Sequence, residues 1–235
     1  MREAEGQVVE IGDERDPLAE AALELIRHAI GDVQPVDDLL SELEERRRGL
    51  KSGGEPHLFA LVEDGAPVAV AAGVYLETVN AGFVTYLAVD EHTRGRMLGR
   101  RLRAHLVDAF RADAQSRGRE LAWTVGEVRR ESPWLRSLVR HGEAIPFGFS
   151  YFHPWQPQRS EGRYVLYREP VTDHRAELPA QEVLSLVYAI WRRAYRIRFP
   201  LQSDTFCYML DQLETRVMIG VDEAFASEMG KLEAD

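Results

Sequence analysis

Six residues carry the densest chemistry in this chain: Arg94-Gly95-Arg96-Met97-Leu98-Gly99. They are basic and hold two glycines. The segment after them places Leu98, Leu102, Leu106, Ala109 and Phe110 at three- and four-residue spacings, which predicts a helix with one apolar face. Ahead of them stands Phe83-Val84-Thr85-Tyr86-Leu87-Ala88-Val89, whose β-branched, aromatic and aliphatic residues suit a buried strand. A strand, a basic glycine turn and a helix start make an anion site. The first N–H groups of a helix lack partners within it, and its positive dipole end favours a phosphate.

The elements that must hold this site are legible on either side. Val8 to Ile11 is a short strand. Asp16-Pro17 caps a helix carrying Leu18, Ala21, Ala22, Leu25 and Ile26, with Gly31 as its stop. A second helix runs from Val36 or Asp37 to about Leu50. His57 to Val62 and Pro67 to Tyr75 are strands joined by Glu63-Asp64-Gly65-Ala66, a turn with Asp-Gly chemistry. With Phe83 to Val89 they predict an antiparallel meander. After the long helix, ended by Gly118, Leu121 to Val125 is a strand and the pair should form a right-handed crossover. Ser132-Pro133 opens a helix to about His141, and Ile145 to Phe152 and Arg163 to Tyr167 are further strands. The fold class is α/β (α+β), a mixed, mostly antiparallel sheet flanked by helices.

Composition narrows the partners. The chain has 235 residues, 45% hydrophobic and 29% charged, as in a soluble globular protein. No apolar run spans a bilayer, and the polar, acidic start is no secretory signal, so a cytoplasmic protein without membrane contact is expected. Cys207 is the single cysteine, leaving no internal disulfide and no zinc cluster, and no metal is expected. A formal net charge of −10 argues against nucleic acid. It suits a cationic or amine-bearing acceptor and serves solubility equally well.

Arg94 to Gly99, following a strand that ends Leu87-Ala88-Val89, resembles motif A of the GCN5-related N-acetyltransferases, Gln/Arg-x-x-Gly-x-Gly/Ala. One position departs: the motif's first glycine is Met97 here. The similarity spans roughly Val8 to Val171 and implies an acetyltransferase domain over 1–171 with a helical C-terminal extension over 172–235. It implies acetyl-CoA as cofactor, with the pyrophosphate on the N–H groups of Arg96 to Arg100 and near the charges of Arg94, Arg96 and Arg100. Gly95 and Gly99 would allow close approach, and Met97 and Leu98 complete the loop. Helical φ/ψ is expected at Met97, because Arg96 to Gly99 is already entering the helix. The resemblance also assigns the backbone of Leu87, Ala88 and Val89 to the pantetheine arm and the thioester carbonyl. It implies direct transfer to a primary amine of a small molecule or protein, and a homodimer is frequent in the family. The alternative is a non-catalytic acyl-CoA sensor or docking module.

Such a transfer needs a proton acceptor. Glu77, Glu127, Glu131, Thr85 and Tyr86 are the candidates. Glu127 ranks first, in the loop after the crossover strand. The family often protonates the leaving thiolate with a tyrosine on the fourth helix; none lies between Ser132 and His141 here. Tyr151, His153 or His141 could substitute. Phe147, Phe149 and Tyr151 alternate as one strand face.

The extension is expected to hold a helix from Pro179 through Ala194, with Val183, Leu184, Val187, Ile190, Trp191 and Ala194 inward. A second, capped by Ser203, turns Phe206, Cys207, Leu210 and Leu213 inward. Glu214 to Val221 reads as strand or helix continuation, and the acidic end should fray. Trp191, Tyr195 and Phe199 could complete an aromatic acceptor wall with Phe152, His153 and Trp155.

Overall fold

A computed structural model describes residues 6–30, 37–50, 54–155 and 163–232. The expected stop at Gly31 and the turn at 51–53 lie outside the described residues. The chain divides into two compact units, one of Met1–Glu77 with Val84–Glu120, the other of Thr78–Phe83 with Leu121–Asp235. The division does not fall at residue 171.

The first unit holds strands β1 (Gln7–Glu10), β2 (Gly54–Glu63), β3 (Ala66–Leu76) and most of β4 (Ala81–Val89), side by side in that order. β1 pairs antiparallel with β2, Val8 opposite Leu61, and β2 with β3, Leu58 opposite Ala72. Their hairpin turns at Asp64 (φ 50°) and Gly65 (φ 81°), the left-handed pair that a two-residue hairpin of this twist requires. Helix α1 (Pro17–Ile30) starts where Asp16 Oδ1 accepts from the Leu18 amide at 2.8 Å. Helix α2 spans Asp37–Arg47.

Alternation in β2 sorts the unit into layers. Leu58 and Ala60 join Ala22, Leu23, Ile26, Leu39 and Leu43 in one apolar cluster with α1 and α2. On the other face His57 and Phe59 meet Phe110 and His105 of α3 (Leu98–Ser116), with ring centroids 6.0 and 6.3 Å apart.

His57 is buried between two carboxylates, with Nδ1 3.0 Å from Glu10 and Nε2 2.7 Å from Asp113. Burial pushes the imidazole down, but the bonds to Asp113 and Glu10 outweigh it and its pKa is raised. Glu10 is lowered to about 2, first by its bond to His57. A raised histidine contributes stability that is complete below its ordinary 6.5 and disappears as pH rises through the folded value. The depressed Glu10 contributes above its ordinary 4.5, and that contribution disappears as pH falls through about 2. His57→Gln should therefore cost about 3 kcal/mol near pH 6, the low end for breaking a buried pair because Asp113 and Glu10 keep some solvent. The deficit should shrink at pH 9. Urea unfolding of both proteins at the two pH values checks this, and a deficit independent of pH would contradict it.

In the second unit the order is β4, represented by Ala81–Phe83, then β5 (Trp123–Arg129), β7 (Tyr164–Pro170) and β6 (Ile145–Pro146). β5 pairs antiparallel with β7, Glu127 opposite Leu166. β5 begins and ends later than the expected Leu121 to Val125, so Glu127 lies inside a strand and not in the loop beyond it. The strand expected from Ile145 to Phe152 stops at Pro146; only isolated bridges continue it, Phe147 to Val221 and Tyr151 to Tyr164. Pro146 has no N–H for a ladder, and Gly148 sits so close that an added Cβ would meet Val221 O at 2.8 Å. Phe147, Phe149 and Tyr151 are nonetheless buried, their successive rings 6.3 Å apart.

Helix α4 (Pro133–Arg140) buries Leu135 and Leu138. β8 (Leu178–Pro179) pairs with β9 (Met218–Ile219), which settles the ambiguous segment as a short strand. Helix α5 (Ala180–Ala189) passes into a π-helical turn, Ile190–Ala194, in place of the uninterrupted helix expected. In it Leu186 is buried and Leu184 only partly. Helix α6 (Asp204–Glu214) is capped by Ser203, whose hydroxyl accepts from Phe206 N, and buries Phe206, Met209 and Leu213; Cys207 and Leu210 are half-buried. The acidic end is helical through Leu232, and residues 233–235 lie outside the described residues. In α7 (Glu223–Leu232), Asp222 accepts from Phe225 N at 2.9 Å and pairs with Arg130 at 2.8 Å, and Phe225 packs with Leu135 and Leu138. That anchor overrides the fraying expected from charge alone. Among the described residues no helix is long and apolar enough to cross a membrane.

Candidate active site

The basic turn lies in the first unit. After β4 comes a 3₁₀ turn, Glu91–Thr93, and then Gly95 at φ 86°. α3 starts at Leu98, and the residue before it, Met97, is left-handed (φ 58°, ψ 20°). The helical geometry expected at Met97 is not what forms. The chain must reverse between the 3₁₀ turn and α3 within a few residues, and positive φ at Gly95 and Met97 does this. Met97 thus occupies, with a Cβ, a conformation that glycine adopts without steric cost.

The N-terminus of α3 has no side-chain cap, and its first internal bond runs from Arg101 N to Met97 O at 3.1 Å. The amides of Leu98 and Gly99 precede that bond and have no carbonyl within the helix. A Cβ on Gly99 would stand 3.4 Å from Val89 Cγ2 and 3.7 Å from Leu87 Cδ2, so the helix start rests directly on the end of β4. Arg96 makes a two-pronged bond to Glu63, at 2.9 and 2.7 Å, and its charge is largely neutralised there. Arg94 and Arg100 are exposed at the same turn. Uncapped amides, exposed arginines and a close-lying glycine fit the pyrophosphate of an acyl-CoA.

Met97 is 66% exposed, so its side chain adds little packing. Left-handed geometry costs a non-glycine residue about 1–2 kcal/mol, and glycine returns about 0.5–1 kcal/mol of that through its freer unfolded state. Met97→Gly should raise stability by up to about 1 kcal/mol in urea unfolding and leave acyl-CoA binding intact. A loss of stability would show that the methionine side chain holds the turn.

The carboxylate candidates fare differently from one another. Glu131 is exposed. Glu77 lies in the first unit, half-exposed, 3.5 Å from Arg117. Thr85 and Tyr86 are partly buried, and Tyr86 packs on the α1–α2 cluster. His141 is exposed, with Nδ1 2.7 Å from Ser137 O at the end of α4.

Glu127 is different. Its side chain is 6% exposed, within the second unit. Its Oε1 accepts a short hydrogen bond from the Tyr195 hydroxyl and lies 3.3 Å from His153 Nε2. Its Oε2 is buried without a hydrogen-bond partner. Tyr151 Oη and Trp191 Nε1 are buried in the same condition. Neither makes a well-aligned bond, yet both Glu127 and Trp191 are near enough to act on the Tyr151 phenol. Burial, then the negative charge of Glu127, pushes that phenol well above 10, so it keeps its proton at neutral pH. Aromatic rings surround the group: Tyr195 meets His153 at 4.9 Å and Phe83 at 5.9 Å, edge to face, and His153 meets Tyr164 at 5.6 Å.

The structure therefore brings Glu127, Tyr151, His153, Trp191 and Tyr195 into one unit and leaves Glu131 and His141 in solvent. Phe199 and Trp155 are largely exposed and stand outside this cluster. Arg168 was not anticipated. It is buried, with Nε and Nη1 unpartnered and Nη2 donating to the Arg175 and Ala176 carbonyls, and burial lowers its pKa. Alternation along β7 gives no signal for it, since Val165 to Glu169 are buried without a break and both faces of the strand are covered.

Residues 23–132 match the acetyltransferase (GNAT) family. No curated protein matches the chain. Among solved structures, the ribosomal-protein-S18-alanine N-acetyltransferase from Escherichia coli superposes with a TM-score of 0.51 at 16% identity, over 72% of this chain and 97% of that one. The PaiA N-acetyltransferase from Thermoplasma acidophilum, solved with coenzyme A, gives 0.49 at 11% identity over 70% and 99%. The IAA acetyltransferase from Bacillus cereus gives 0.47 at 14% over 70% and 99%. The match over residues 23–132, together with the fold shared with a solved N-acetyltransferase, supports an acyltransferase of the GNAT kind that draws on an acyl-CoA.

Proposed function

We propose that the protein moves an acetyl group from acetyl-CoA to a primary amine by direct attack, with Glu127 as the proton acceptor. The observation that carries this reading is the buried Glu127 carboxylate with Oε2 unpartnered. Among the described residues its ion-pair partner is His153, with no arginine or lysine beside it. A buried carboxylate so placed is costly unless a cation or a proton reaches it. An ammonium group supplies both.

When bound, acetyl-CoA supplies an activated thioester, whose C–S bond breaks as the C–N bond to the acceptor forms. Glu127 takes the proton that the ammonium must lose before its nitrogen can attack. Tyr151, protonated at neutral pH, gives a proton to the departing thiolate, and the second proton that the nitrogen sheds as the C–S bond breaks restores the phenol. Leu98 and Gly99 hold the pyrophosphate through their amides, and the backbone of Leu87, Ala88 and Val89 binds the pantetheine arm.

The test is calorimetric titration of the wild type with acetyl-CoA, followed by thiol-release assays with tyramine, spermidine and a short peptide with a free N-terminus. Micromolar binding and amine-dependent thiol release are expected. A folded protein that does not bind acetyl-CoA overturns the reading. Tight binding with no thiol release from any amine replaces it with an acyl-CoA sensor.

A further inference from the structure

The C-terminal extension bears on Glu127 through one irregular turn. Between Ile190 and Ala194 the helix widens to a π turn, closed by the Tyr195 amide donating to Ile190 O at 3.0 Å. The next residue, Arg196, is left-handed at φ 55°, and the Ile197 amide donates to Trp191 O at 2.9 Å. Widening a turn by about one residue rotates every later side chain by roughly 100° about the axis. Without it, the register of α5 would carry Tyr195 away from Glu127. A π turn followed by a left-handed arginine is a strained way to end a helix. Trp191 inside the turn and Tyr195 at its end are the residues it presents to the buried cluster.

We propose that Tyr195 is a positioning residue for Glu127. Its hydroxyl donates to Oε1 and fixes the carboxylate plane, which leaves Oε2 as the oxygen that receives the acceptor's ammonium. The helical extension is thereby part of the acceptor chemistry and not only a support for the sheet. Phe83, edge-on to the Tyr195 ring, and His153 hold that ring from two sides. This inference rests on the reading of Glu127 as proton acceptor.

The experiment is a double-mutant cycle of Tyr195→Phe and Glu127→Gln in the full chain, read by steady-state kinetics on an amine the wild type acetylates and by urea unfolding. Phenylalanine keeps the ring contacts and removes only the hydroxyl. Tyr195→Phe should lower kcat about 10-fold with KM within about threefold, and should add nothing in the Glu127→Gln background. The unfolding cycle should show coupling between the two positions. Full kcat in Tyr195→Phe, with Glu127→Gln impaired, overturns the positioning role alone. Losses that multiply in the double variant overturn it too. Full turnover in Glu127→Gln instead overturns the proton-acceptor reading, and this inference with it.

Discussion

Glu127→Gln is expected to lower kcat for amine acetylation by about 10²- to 10³-fold, while the protein stays folded and binds acetyl-CoA as before. Glutamine has nearly the shape of glutamate, so the Tyr195 hydroxyl still finds an oxygen and no cavity opens. It cannot take a proton from an ammonium. Stability provides the control. A carboxylate that served the fold would weaken the protein when neutralised. Glu127 is buried without an arginine or lysine beside it, among the described residues, and with Oε2 unpartnered. Neutralising such a group relieves desolvation, so urea unfolding of Glu127→Gln should be unchanged or shifted to higher urea. The Tyr151 phenol should also titrate lower, because the charge that helps to raise it is gone. Full turnover, or a large loss of stability, would move Glu127 from the reaction to the fold.

The anion site and the buried carboxylate differ in how far the sequence discloses them. The β4 strand, the basic turn and α3 are contiguous, and each is set by local chemistry: β-branched residues, glycines and an apolar stripe. They could be read directly. The geometry of Met97 could not, because nothing local to methionine favours positive φ; the short distance between the 3₁₀ turn and α3 imposes it. Glu127 was legible as a carboxylate near the crossover strand but not as a buried one. Its burial depends on β5 running on to Arg129 opposite β7, and on Tyr195, far downstream in the chain. The π turn was hidden for a related reason. The apolar positions of α5 follow a 3.6-residue period into Trp191, and nothing in that pattern announces the widening after it. Alternation at Phe147, Phe149 and Tyr151 gave burial correctly and pairing wrongly, since side-chain period does not register that Pro146 and Gly148 interrupt the ladder. Charge alone does not disclose the last helix as far as Leu232, because Phe225, buried against α4, holds it.

Gly99→Leu is expected to weaken acetyl-CoA binding about 100-fold, against no more than about threefold for Gly99→Ala. A single added carbon would stand 3.4 Å from Val89 Cγ2, which is ordinary contact, so alanine fits with little movement. The rest of a leucine side chain has no such room. It must either lift the start of α3 off Leu87 and Val89 or fold over the open helix end where the amides of Leu98 and Gly99 point. Either outcome withdraws two amides from an anion. A hydrogen bond to a charged group is worth about 1.5–3 kcal/mol, and a 100-fold change in affinity corresponds to about 2.7 kcal/mol. Loss of the equivalent of one to two such bonds therefore accounts for the effect without invoking the arginines. Arg94 is exposed, so Arg94→Ala should act by screened charge, with a smaller loss that fades as salt is raised. Calorimetry of the three variants at two salt concentrations separates the contributions. If Gly99→Leu bound acetyl-CoA like the wild type, the helix start would not be the pyrophosphate site, and Met97 would mark a turn with no anion to hold.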